Sequence, residues 1–158
     1  MRIRKARGRD LKQLTALSQS LLDYHACFFP KLKSAREIAK SQRKFFAKQM
    51  RSKKALILVA EDGSKLVAYA MVEVKKKPPV FRDRTTAYVD AVFVSSAYRR
   101  KGAAKLLLKA MEKWAKKKGA RELELKCVTK NKAALAAYGK LGFREEAKIM
   151  AKTLRPQK

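Results

Sequence analysis

The stretch Arg99-Arg100-Lys101-Gly102-Ala103-Ala104-Lys105 gathers four cations around one glycine, directly ahead of a helical pattern. The first N–H groups of a helix have no backbone partner and carry partial positive charge, so this placement makes an anion site. Gly102 permits close backbone approach, and Ala103 and Ala104 keep side chains out of the way. A phosphate or pyrophosphate is the guest that such a turn suits. It is not a Walker loop, which needs Gly-Lys-Ser/Thr after four spacers, and it lacks the glycines of a dinucleotide fingerprint. The bland alternative is a basic turn beside a helix start. Elsewhere, Cys27, Cys127 and His25 have no metal-ligand spacing, which excludes a disulfide framework and a Cys/His zinc site.

The elements around this turn follow from periodicity. Arg2–Ala6 reads as a short strand, and Asp10 as the N-cap of a helix through Leu11, Leu14, Leu17, Leu21 and Leu22. Tyr24, His25, Cys27, Phe28, Phe29 and Pro30 form an aromatic break. Ser34-Ala35-Arg36-Glu37 is a capping box opening a second helix to about Met50. Leu56–Ala60 and Leu66–Val74 are β-type runs joined by a turn at Glu61–Lys65, and Thr86–Val94 is a third strand. Ala103–Lys118 is a helix with Leu106, Leu107, Ala110, Met111 and Trp114 on one face, stopped by Gly119. Glu122–Val128 alternates as a strand, Asn131–Leu141 is a short helix with Asn131 able to cap it, and Phe143–Leu154 reads as one or two terminal strands. The order β-α-α-β-β-β-α-β-α-β implies one mixed α/β domain over residues 1–158, with a parallel crossover across 86–128.

With 47% apolar residues the chain can build a core in spite of 34% charge. No apolar run approaches the roughly 20 residues of a membrane span. No apolar signal core follows the basic Met1–Lys5, so a cytoplasmic location is expected. The net charge of +28 is uneven: 16 basic against 3 acidic residues in 1–54, 6 against 5 in 55–98, and 19 against 5 in 99–158. Such a field draws phosphorylated ligands and polyanions, nucleic acid among them, or simply solubilises the surface.

The run Val92-Phe93-Val94, Ser95-Ser96-Ala97-Tyr98, Arg99-x-x-Gly102-x-Ala104, followed by Asn131-x-x-Ala134-x-x-x-Tyr138 and Leu141-Gly142-Phe143, resembles the GNAT superfamily of acetyl-CoA-dependent N-acetyltransferases. The resemblance is strongest over 86–145. It implies a mixed, splayed β-sheet flanked by helices, with acetyl-CoA as cosubstrate and no metal. It places the pyrophosphate on Arg100–Lys105 and the pantetheine along Val92–Val94, where a backbone N–H would also hold the thioester oxygen. Tyr138 would protonate the departing thiolate, and Asn131 would bind near the pantetheine or pyrophosphate.

The same resemblance makes Asp90 the general base, acting through water, because the acceptor ammonium must lose a proton before attack. Tyr24 and His25 fall where the family builds its acceptor pocket. Members that act on ribosomal N-termini carry Glu five residues before the Asn; Lys126 stands there instead. The expected acceptor is an amine on a small molecule, a protein lysine or a protein N-terminus, the enzyme being a monomer or homodimer. The alternative is a nucleic-acid-associated basic protein, or an acetyltransferase of a nucleic-acid-bound or ribosomal protein.

Overall fold

The computed structural model describes residues 1–29, 32–82, 84–152 and 154. They form two compact units, Met1–Lys126 and Cys127–Lys158. Pro30 of the aromatic break lies outside the described residues.

The first unit is built on a five-stranded sheet in the order β1-β2-β3-β4-β5. The strands are β1 (Arg2–Lys5), β2 (Ala55–Asp62), β3 (Lys65–Lys76), β4 (Thr85–Val94) and β5 (Glu122–Leu125). Neighbours are antiparallel except β4 and β5, which are parallel. The β2–β3 hairpin closes on Gly63 at φ 60°, a left-handed position where glycine costs least. The helices are α1 (Leu11–Ala26), α2 (Ala35–Arg51) and α3 (Ala103–Lys117).

Alternation along the strands sorts the core into two layers. Ile57 and Val59 of β2, Tyr69 and Met71 of β3, and Phe93 of β4 pack with Leu14 and Leu17 of α1 and Phe46 of α2. The intervening Leu56, Leu58, Ala60, Ala68, Ala70 and Val72 face the other way and are also buried. There α3 lies across β2, β3 and β4, burying Leu107, Leu108, Met111 and Ala115. The sequence pattern had placed Leu106 in that stripe, but it is 46% exposed. Three sequential leucines, Leu106, Leu107 and Leu108, leave the helix phase ambiguous, and the sheet selects Leu107 and Leu108.

Asp10 stands at the α1 N-cap without capping it. Its carboxylate takes two bonds from Arg4, at 2.6 and 2.9 Å, and accepts the Arg7 N–H at 2.7 Å. The guanidinium fork and the Arg7 N–H engage the carboxylate in place of the α1 N–H groups. Arg4 also donates to Glu61 of β2, which fastens the edge strand β1 to the foot of α1. The capping box is as expected. Ser34 Oγ accepts the Glu37 N–H at 3.3 Å and Glu37 accepts the Ser34 N–H at 2.8 Å.

Among its described residues the second unit holds one helix, α4 (Lys132–Lys140), closed by Gly142 at φ 88°. Residues 143–152, expected as terminal strand, carry no strand. No other strand occurs among the described residues of this unit, and a strand with no ladder partner has no stability of its own. Ile149 and Met150 are accordingly exposed.

Candidate active site

β5 is shorter than its alternating sequence suggests, and β4 supplies the reason. Along β3, Met71 pairs with Ala91 while the next residue, Val72, pairs with Val89. Asp90 is therefore the extra residue of a β-bulge, which bends the strand and interrupts its ladder. The β4–β5 pairing runs from Thr86–Glu122 to Val89–Leu125 and stops there. The strand predicted to reach Val128 thus ends at Leu125, and β4 runs on from Asp90 to Val94 without β5 beside it.

The orientation of that unescorted edge follows from the next residue. The Ser95 N–H donates to Val67 on β3, at 2.9 Å. By strict alternation, the backbone groups of Val92 and Val94 then point to the opposite edge, and those of Phe93 toward β3. The Val94 carbonyl accepts from Arg99 Nε at 3.1 Å, folding the following turn back along this edge.

The turn itself is strained in the way an anion cradle requires. Arg100 has φ 60° and Gly102 has φ 83°, two left-handed residues around Lys101. Left-handed residues in tight succession turn N–H groups into a concavity. Arg100 has no glycine's freedom, so holding it there costs on the order of 1 kcal/mol. A Cβ placed on Gly102 would meet nothing within 4 Å, so the space over the turn is open. Arg99, Lys101 and Lys105 are exposed around it, while Ala103 is buried and Ala104 half-buried. The turn therefore fits a phosphate group: open space, four cations and the α3 N-terminus.

Asp90 faces the α1/α2 side of the sheet. Glu73 pairs with Tyr88 and Lys75 with Thr86, so these four share a face, and alternation brings Asp90 to it. The bulge then adds Ala91 to the same face, where it packs on the α1/α2 core. The Asp90 side chain is 25% exposed, with Lys75 Nζ at 3.8 Å. Burial pushes its carboxyl up to about 6, a rise opposed by the Lys75 ammonium and helped by Glu73. A carboxylate poised there is a competent base at neutral pH. Glu73, Lys75 and Tyr88 were not singled out from the sequence. Their alternation put them on one face, but only the register sets them beside Asp90.

Tyr24 and His25 stay in ring contact, 6.0 Å between centroids, but their other partners differ. The Arg99 guanidinium lies over the Tyr24 ring, 5.4 Å from its centroid, joining the end of α1 to the anion turn. His25 has ring contacts with Phe28 and Phe29 at 6.4 and 6.3 Å, and burial holds its imidazole below the usual range. Its ring neighbours Tyr24, Phe28 and Phe29 are aromatic, which suits a packed, neutral ring.

In the second unit, Asn131 is buried, and its Oδ1 accepts the Ala134 N–H at 3.2 Å, capping α4. Tyr138 is half-buried with its ring edge-on to Phe143 at 5.5 Å. Burial, reinforced by Cys127, pushes its phenol up to about 12, so it keeps its proton at any ordinary pH. Burial also pushes the Cys127 thiol up, the reverse of what a nucleophilic thiolate needs. Among the described residues, no group of three His, Cys, Asp or Glu side chains could hold a metal ion, and no helix is long and apolar enough to cross a membrane.

Residues 18–143 match the Acetyltransferase (GNAT) family, and the chain belongs to that family. It is 36% identical over 52 residues to YobR, an uncharacterised N-acetyltransferase of Bacillus subtilis strain 168. That match covers 33% of this chain and only 21% of YobR. Among solved structures, a mutant BH1408 protein from Bacillus halodurans aligns with a TM-score of 0.83 at 23% identity, over 98% of this chain and 100% of the other. The aminoglycoside N-acetyltransferase AAC(6')-Iy in complex with CoA aligns with a TM-score of 0.80 at 17% identity, over 98% and 94%. At these identities the two structures share the fold.

Proposed function

We propose that this chain is an N-acetyltransferase of one domain, transferring acetyl from acetyl-CoA to a primary amine by direct attack in a ternary complex. The observation that carries the reading is the β4 bulge at Asp90. It ends β5 pairing at Val89 and leaves the Val92 and Val94 edge beside a left-handed, cationic turn. An extended amide-bearing arm adds to such an edge as a strand would, and its pyrophosphate suits the turn Arg99–Lys105. That AAC(6')-Iy takes CoA on the same fold supports this assignment.

The chain's residues divide the work. The Val92–Val94 backbone positions the thioester, and one N–H there stabilises the oxyanion. Asp90 takes a proton from the acceptor ammonium, directly or through one water. Tyr138 is assigned the proton that the sulfur receives, supported by the resemblance of Asn131–Phe143 and by a phenol that stays neutral. Asn131 is assigned to hold the cosubstrate while capping α4. Tyr24 is assigned to the cosubstrate turn through Arg99. His25 is left to packing.

The acceptor is an amine, on a small molecule or on a protein. The basic surface suits an anionic acceptor or one presented on nucleic acid better than a free polyamine. The cytoplasm is the expected compartment. The deciding experiment is an acceptor screen that detects released thiol with acetyl-CoA saturating. Acetyl-CoA binding without thiol release across amine classes would overturn the enzymatic reading.

A further inference from the structure

The amine that stands closest to the proposed base is the protein's own. Lys75 Nζ lies 3.0 Å from Glu73 Oε1, 3.8 Å from Asp90 Oδ1 and 4.0 Å above the Tyr88 ring. Two carboxylates and an aromatic face are what a free alkylammonium acceptor would need for recognition. Lys75 starts opposite Thr86, yet its ammonium reaches Asp90, four residues further up β4. The side chain therefore leans toward the end of β4 where the thioester is placed. From Asp90 to Val92 is two residues, roughly 7 Å of strand. The side chain is 43% exposed, so it is open to an arriving reagent.

Neighbouring lysines are engaged elsewhere. Lys76 donates to Thr85 at 2.6 Å, and Lys77 binds Glu122 and Glu124 on β5.

From this geometry we infer that Lys75 is a self-acetylation site, its ammonium occupying the acceptor position beside Asp90 and receiving the acetyl group when no external amine displaces it. The inference rests on the acetyl-CoA reading above. In the step, a bond forms between Lys75 Nζ and the acetyl carbon, and the carbon–sulfur bond to CoA breaks. Of the three ammonium protons, one stays on the new amide, one passes to Asp90 and one ends on the CoA sulfur. The product is neutral, so Glu73 and Asp90 lose their shared cation. Asp90 is then left with the burial and the Glu73 charge that push its carboxyl up, and without the Lys75 charge that pulls it down. The charged and titratable groups around it are Glu73 and Lys75 on β3, Tyr88 on β4 and Glu124 on β5, which acts through Tyr88. Acetylated enzyme should therefore show its acid limb at higher pH than unmodified enzyme.

The test is to incubate the purified protein with isotope-labelled acetyl-CoA and map label on every lysine by peptide mass spectrometry, over a dilution series. Lys75 is expected to gain label faster than exposed lysines such as Lys116, with a rate independent of protein concentration. Asp90→Asn should slow Lys75 labelling by about 10²-fold and leave the other lysines unchanged. Circular dichroism of that variant confirms that it is folded, and Asp90→Glu serves as a second variant that retains a base. Label on Lys75 no faster than on Lys116, or undiminished in Asp90→Asn, overturns the inference. Calorimetry separates the two readings. Acetyl-CoA binding without preferential Lys75 label sinks self-acetylation alone, and no binding sinks both.

Discussion

The Arg99 guanidinium rests over the Tyr24 ring, 5.4 Å from its centroid, while its Nε donates to the Val94 carbonyl. One side chain thereby joins the end of α1, the end of β4 and the turn proposed to bind pyrophosphate. A cation over an exposed ring contributes about 0.5–1 kcal/mol. Tyr24→Leu should therefore raise the acetyl-CoA Kd about two- to fivefold and leave turnover at saturating cosubstrate unchanged. Calorimetry with steady-state kinetics checks both halves. A fall in turnover with affinity intact would move Tyr24 to the acceptor side.

Gly102 offers a sharper test of the turn. Its φ of 83° is left-handed, and open space surrounds it, so a substitution strains the backbone without colliding with protein. Gly102→Val should weaken acetyl-CoA binding by at least about tenfold, since a β-branched residue there costs on the order of 1–2 kcal/mol and also fills the cradle. Undiminished affinity would remove the phosphate from this turn.

For Tyr138, the phenol's rise to about 12 keeps its proton in place across the working range. Tyr138→Phe retains the ring and its packing on Phe143. Turnover should fall by about 10²–10⁴-fold, the usual loss of a general acid, with little change in acetyl-CoA affinity. Turnover within about twofold of the parent would reduce Tyr138 to a packing residue.

The sequence made much of this arrangement legible, and its limits have physical causes. The capping box at Ser34 and the apolar alternation of β2, β3 and β4 are local signals, and each element formed where they pointed. The turn at Arg99–Ala104 was legible because its position, between a strand and a helix start, is local too. Register is not local. The bulge at Asp90 depends on which β3 residues it meets, so the early end of β5 and the Glu73, Lys75 and Tyr88 surround could not be read from either strand alone. Asp10 shows the converse failure. Its residue type predicts an N-cap, but Arg4, brought close by β1, offers a stronger partner.

That Arg4 cluster should set the acid tolerance of the fold. Arg4 holds the Asp10 carboxyl below the usual range, and Arg4 with Arg2 brings Glu61 down to about 2. Both carboxyls titrate lower in the folded chain than in the unfolded one. Their stabilisation is thus present above the ordinary carboxylate range, and it is lost as pH falls toward 2. Arg4→Met should lower Tm by several degrees at pH 7 and flatten the loss of Tm below about pH 4. Thermal melts across pH check it. An unchanged slope would mean that the cluster contributes no pH-dependent stability.

Asp90 carries the opposite sign, and this separates a working carboxylate from a structural one. Its folded carboxyl titrates near 6, above the unfolded value of 3.8, because burial disfavours the charge. The folded chain therefore binds this proton more tightly than the unfolded chain. The associated stability is present at low pH and is lost as pH rises through about 6. Activity runs the other way, since the base works only when ionised, and should fall as pH drops below about 6. Asp90→Asn removes a charge that burial penalises and keeps the side chain's size. It should raise Tm at pH 8, flatten the acid limb of kcat/KM, and slow turnover by about 10²-fold at neutral pH. Raising the pH should partly rescue the variant, because more of the acceptor amine is then neutral without help. A carboxylate kept only for its contact with Lys75, at 3.8 Å, would give the reverse: a lower Tm at pH 8 and a rate profile of unchanged shape. Melts at pH 5 and 8, beside rates across the same range at saturating acetyl-CoA, decide between them.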